Sequence, residues 1–105
     1  DVLPDDQKLI IEIGKVIRLG YLQQNAFHKD DTYVSLEKQL KMMDVILDLY
    51  KEAKNFTLRG KALSTLIQTG IFEHVIKMKY DVENDKLDKF DLYYEKIDQV
   101  VKSVL

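Results

Sequence analysis

The chain has 105 residues, 46% hydrophobic and 32% charged, enough apolar material for one compact core and too little length for two. Its 16 Lys and Arg face 18 Asp and Glu, so no strong summed field draws a nucleic-acid polyanion. Cysteine is absent, which removes disulfides, thiolate metal sites and cysteine nucleophiles together.

No apolar run approaches the roughly 20 residues that cross a bilayer, and the start Asp-Val-Leu-Pro-Asp-Asp has neither a basic region nor an apolar signal core. A soluble, unsecreted protein without direct membrane insertion is expected. The chain opens on Asp rather than Met, which suggests a piece processed or excised from something longer.

Pro4, Asp5 and Asp6 read as a helix opening, because proline loses nothing at the first helical position and acids there complement the positive end of the helix dipole. Leu9, Ile10, Ile13, Val16, Ile17 and Tyr21 then recur at helical steps, predicting a helix over 5–24. Gly14 and Gly20 interrupt it, so a close helix contact or an early end near Gly20 is expected. Residues 25–33 have no period and read as an ordered loop. Ser35 caps a second helix, whose series Leu36, Leu40, Met43, Ile46, Leu47, Tyr50 runs to about Ala53.

After a polar link through Asn55, Thr57, Arg59 and Gly60, a short helix carries Ala62, Leu63, Leu66 and Ile67, with Gly70 as its left-handed stop. Ile71, Phe72, Val75, Ile76 and Met78 predict a short fourth helix before a polar turn at 81–84. In the last segment Leu87, Phe90, Tyr94, Ile97, Val101 and Val104 step by 3, 4, 3, 4 and 3 residues, a single helical seam that reads as core. Asp85 with Lys89 and Asp98 with Lys102 lie on its solvent side. Nowhere do β-branched residues alternate over a strand length, so the fold class is all-α: one domain over 1–105, a small bundle of about five helices.

The chemistry is sparse. Four dispersed glycines build no phosphate loop, so nucleotide hydrolysis cannot originate here and no catalytic residue is assigned. His28 with Asp30 and Asp31 is the one compact set of ligating groups, but it is short of ligands, and no metal site is assigned. Asp30 or Asp31 capping a turn, with His28 packed beside Phe27, is the plainer reading. His74 reads as structural. Lys51, Lys54, Arg59 and Lys61 bracket Phe56, a combination that single-stranded nucleic acid exploits. In a net-acidic chain these charges read as a solvated loop, and nucleic acid is not taken as a partner.

Residues 21–39, Tyr-Leu-Gln-Gln-Asn-Ala-Phe-His-Lys-Asp-Asp-Thr-Tyr-Val-Ser-Leu-Glu-Lys-Gln, resemble the Leu-Gln-Gln-Asn-Ala-Phe-His…Asp-Thr-Tyr…Glu-Lys-Gln signature of the catalytic A subunit of archaeal and vacuolar-type rotary ATPases. Residues 1–9 are more loosely similar to the acidic DELSEED loop and following Lys-Leu of the related β subunit of mitochondrial and bacterial ATP synthases. The resemblance covers about the first forty residues, and beyond them only helical character agrees. Leu36 stands where the family often has proline, and Val34 where it often has cysteine; both leave the helix start intact.

The resemblance implies a C-terminal helical domain that couples ATP hydrolysis or synthesis elsewhere in the subunit to rotation of a central stalk and to ion translocation. It implies no cofactor in this chain, ATP and magnesium belonging to the rest of the subunit. The implied partners are the remainder of the A subunit, neighbouring B subunits and the central-stalk rotor subunit. The implied place is peripheral, on the cytoplasmic face of a membrane. Leu3, Asp5 and Asp6 become the expected rotor contacts, with plain helix-end charge as the competing reading of the two acids. Ala26 and Phe27 come to lie near the adenine ring, with ordinary core as the competing reading of Phe27. The resemblance further implies that the helix ordinarily preceding the first is missing, so an uncovered apolar strip along helix one is expected to let the isolated chain dimerise. The alternative is a stand-alone helical protein–protein interaction domain.

Overall fold

The computed structural model describes residues 3–22 and 34–105, with the backbone only at Leu22. Every regular element among the described residues is helical: α1 (Asp5–Val16), a π-helical turn (Ile17–Leu22), α2 (Leu36–Leu58), α3 (Leu63–Ile67), α4 (Ile71–Ile76), α5 (Met78–Asp81), a 3₁₀ turn (Leu87–Lys89) and α6 (Phe90–Ser103). No helix among them is long and apolar enough to cross a membrane.

α1 starts directly after Pro4, whose carbonyl accepts from the amides of Gln7 and Lys8 at 3.1 and 3.0 Å. Leu9 and Val16 are buried, and Ile13, Ile17 and Tyr21 pack half-buried against the core. Ile10, expected on the inner face, is exposed together with its neighbour Ile11 and with Leu3. The helix expected over 5–24, with a close contact or an early end near Gly20, is α-helical to Val16 and gives way at Ile17 to the wider π turn. Gly20 lies inside that turn and makes the expected close contact. A Cβ there would stand 3.0 Å from the Ile76 Cα and 3.1 Å from its carbonyl oxygen. The glycine is thus the point at which the π turn and the end of α4 touch backbone to backbone.

α2 is the central element, packing against α1, the π turn, α3, α4 and α6. Its first turn is capped as expected, Ser35 Oγ accepting from the amide of Lys38 at 3.1 Å. Its end lies at Leu58 rather than near Ala53. The inner face is Met42, Val45, Ile46, Leu49, Ala53 and Phe56, all buried. This corrects the expected series: of Leu36, Leu40, Met43, Ile46, Leu47 and Tyr50 only Ile46 is buried, Met43 and Tyr50 are half-buried, and the three leucines are exposed. The helix carries two apolar seams on opposite sides, and a periodicity of 3.6 cannot say which one meets the core.

The second half closes the bundle. Gly70 takes φ +84° between α3 and α4, the left-handed stop that its position indicated. The expected fourth helix is broken at Lys77 into α4 and α5, and Asp81 is the last residue of α5. α6 buries Phe90, Tyr93, Ile97 and Val101. Tyr93 thus replaces Tyr94 in the expected seam, and Tyr94 at its edge turns its hydroxyl to Asp44 on α2. Lys102 and Asp98 pair at 3.0 Å on the outer side. Asp85 precedes the helix altogether.

Candidate functional site

The N-terminal tip is the first of the two places to which the sequence directs attention. Leu3 and Asp6 are exposed, and the Asp6 carboxylate accepts from the amide of Gln7 at 2.9 Å. Asp5 differs. It is half-buried, and its Oδ2 accepts from the amide of Leu63 at 2.9 Å, across 58 positions of sequence. α3 has Ala62 at its N-cap position and no side-chain cap of its own, so Asp5 supplies from another helix what the local sequence lacks. The acidic pair is therefore divided: Asp5 holds α1 to α3, and Asp6 points its charge outward. The sequence signal for this tie was α3 itself, a short helix preceded by alanine where a capping oxygen is needed.

The second place is the entry to α2. Ala26 and Phe27, with His28, Asp30 and Asp31, lie outside the described residues. The start of α2 itself is tightly held. Ser35 donates its amide to Asn84 Oδ1 at 3.2 Å, and Gln39 Nε2 donates to the carbonyl of Val34 at 3.0 Å. Lys38 is buried, and its Nζ donates to the carbonyl of Lys79 at 2.7 Å. That carbonyl belongs to the four-residue helix α5, whose carbonyls have few intrahelical donors, so a buried ammonium finds an acceptor there. Sequence reasoning did not find this tie, because a lysine three residues after a helix cap looks like a solvated first-turn residue.

The remaining candidates resolve into structure. Phe56, the aromatic of the basic loop, is buried and offers no face on which a base could stack, while Lys54 sits over the Tyr50 ring at 5.8 Å. His74 stacks on Tyr93 with ring centroids 4.9 Å apart. Burial, aided by Lys96 and Lys77, holds its imidazole below the ordinary histidine range against the opposing pull of Asp81. Burial and a hydrogen bond to Asp81 push the Tyr93 phenol up to about 12. Among the described residues no three His, Asp or Glu side chains gather into a group able to hold a metal ion.

One carboxylate on the α2–α6 side is strained electrostatically. Burial, then the neighbouring Glu52, Asp44 and Asp98, raise the Asp48 carboxyl above its ordinary value, with only Lys51 opposing. A raised acid holds its proton more tightly folded than unfolded, so its contribution to stability falls as pH rises through its folded pKa. Asp48→Asn is therefore expected to raise Tm by about 2 °C at pH 7, a modest gain because the site is largely solvated. The gain should vanish below the ordinary aspartate range. Thermal melts at both pH values check this, and an equal gain at the two would refute it.

Residues 1–66 match the family model described as the C-terminal domain of V and A type ATP synthase. The chain is 40% identical over 105 residues to a V-type ATP synthase alpha chain 2 of Clostridium tetani, a match that covers 100% of this chain and 18% of that protein. It is 43% identical over 90 residues to the V-type ATP synthase alpha chain of Halothermothrix orenii, covering 86% of this chain and 15% of the relative. The corresponding alpha chain of Clostridioides difficile is 34% identical over 105 residues, again 100% of this chain and 18% of its own length. The chain thus spans less than a fifth of the relatives that it matches. An all-helical bundle with an acidic tip, matched by that model over more than half its length, belongs to the C-terminal domain family of V- and A-type ATP synthases.

Proposed function

We infer that this domain is the lever through which a rotary ATPase catalytic subunit pushes on its central stalk. The observation that carries the reading is the family match, together with a tip whose outward groups, Leu3 and Asp6, stand on a helix braced by Asp5 against α3. An exposed acid contributes little per contact and desolvates little, so it can meet and release basic side chains on each turn. The brace keeps the tip from yielding under load. The chemistry itself, with ATP and magnesium, belongs to the rest of the subunit, on the cytoplasmic side of the membrane and beside the B subunits. Ala26 and Phe27 are the candidates for contact with the adenine ring, the anchored entry of α2 holding the chain just beyond them. On this reading the 105 residues by themselves bind ATP weakly, and tight binding in titration calorimetry would contradict it.

Asp5 and Asp6 separate bracing from contact. Asp5→Ala is expected to cost about 1 kcal/mol of stability in denaturant melts of this chain, the ordinary value of a lost cap. Asp6→Lys should leave stability within about 0.5 kcal/mol, yet weaken capture of the central-stalk subunit and uncouple hydrolysis from rotation in the assembled enzyme. A stalk contact indifferent to Asp6→Lys and to Leu3→Ala would sink the proposal.

A further inference from the structure

Ala26 and Phe27 lie in sequence between the π turn and the entry of α2, and both of these flanks come down on one piece of chain. On the leading side, a Cβ at Gly20 would stand 3.0 Å from the Ile76 Cα, and α5 packs against the same turn. On the trailing side, the Ser35 amide donates to Asn84 Oδ1 at 3.2 Å, and Lys38 Nζ donates to the Lys79 carbonyl at 2.7 Å. All of these landing points fall within residues 76–84.

That piece of chain is itself rooted. Met78 and Val82 are buried, and the amides of Tyr80 and Asp81 donate to the Lys77 carbonyl at 3.1 Å. Tyr93 on α6 hydrogen-bonds Asp81. A seat fixed into a close-packed core passes little play to what stands on it.

Packing alone does not call for the two trailing ties. Asn84 is exposed, so its bond covers no apolar surface. A methionine would fill the place of the buried Lys38 without an ammonium to satisfy. What the two bonds achieve is to set where α2 begins relative to where the π turn ends.

We propose that residues 76–84 are the common seat of both flanks, and that Lys38 and Asn84 thereby act as positioning residues for the adenine contact. The positioning role rests on the reading that Phe27 meets the base; the common seat does not.

The chain has no cysteine, so Arg18→Cys with Glu37→Cys, both at exposed positions, places one spin-label pair across the two flanks. Double electron–electron resonance on the 105-residue chain is expected to give a narrow distance distribution. Lys38→Met combined with Asn84→Ala should broaden it, while Asn84→Asp, which retains the accepting oxygen, should leave it narrow. In the assembled ATPase the Lys38→Met, Asn84→Ala variant should raise KM for ATP by about three- to tenfold, the range of one aromatic contact. kcat should hold, because a contact made alike in the ground and transition states moves only KM. Inhibition by inorganic tripolyphosphate, which has no base, should stay the same. A distribution indifferent to the double variant would overturn the common seat. A broadened distribution with KM unchanged, where Phe27→Ala does raise KM, would overturn the positioning role, as would an equal loss of tripolyphosphate inhibition. An unchanged KM in Phe27→Ala would instead remove the adenine reading, and the positioning role with it.

Discussion

Phe56→Ala is expected to destabilise the domain by about 3–5 kcal/mol, enough to unfold much of a small domain at physiological temperature, whereas Leu47→Ala on the same helix should change stability by no more than about 0.5 kcal/mol. The two residues are similar in apolar character and differ in the side of α2 on which they fall. Phe56 is wholly enclosed where α2 runs beside α3, so truncation removes both its transfer free energy and the contacts of the atoms around it. Leu47 already meets solvent. Urea titrations below the concentration of any self-association, with m unchanged, make the comparison clean. Equal losses at the two positions would mean that the inner and outer seams of α2 have been confused.

Opposite signs are expected for one substitution at two glycines of the first helical segment. At Gly14 a new Cβ would meet nothing within 4 Å, so Gly14→Ala should stabilise by about 0.5–1 kcal/mol through helix propensity alone. At Gly20 the new Cβ would meet the Ile76 backbone at 3.0 Å. Backbone cannot swing aside as a side-chain tip can, so Gly20→Ala should destabilise by about 1–3 kcal/mol as the π turn and α4 are forced apart. Thermal and denaturant melts of the two single variants decide the matter. A stabilising Gly20→Ala would show that the close approach is not a feature of the folded chain.

The fold was largely legible because most of its elements announce themselves locally. Ser35 before an apolar run and Gly70 after one stand where the spacing indicated, and the seam of α6 does so at Phe90, Ile97 and Val101. The failures share one cause. Which seam of α2 faces inward, whether Tyr93 or Tyr94 joins the core, and what Gly20 packs against are decided by neighbours distant in sequence. The packing of α1 and α6 on α2, the reach of Tyr94 to Asp44 and the approach of Gly20 to the Ile76 backbone make those differences, and no window of one helix contains them. The acidic tip was visible as a pair of charges. Its division into a brace and an outward group was not, because the partner of Asp5 is a backbone amide 58 residues away.

That long-range bond also bears on how the domain can be shortened. Removing the first six residues would look harmless, since the first side chain buried among the described residues is Leu9. It would instead fray α3 in the middle of the chain, where the amide of Leu63 would lose its acceptor. Amide exchange at Leu63 and its neighbours should accelerate before any global loss of helix is measurable. A trimmed form would thus betray its missing end at a site more than fifty residues from the cut.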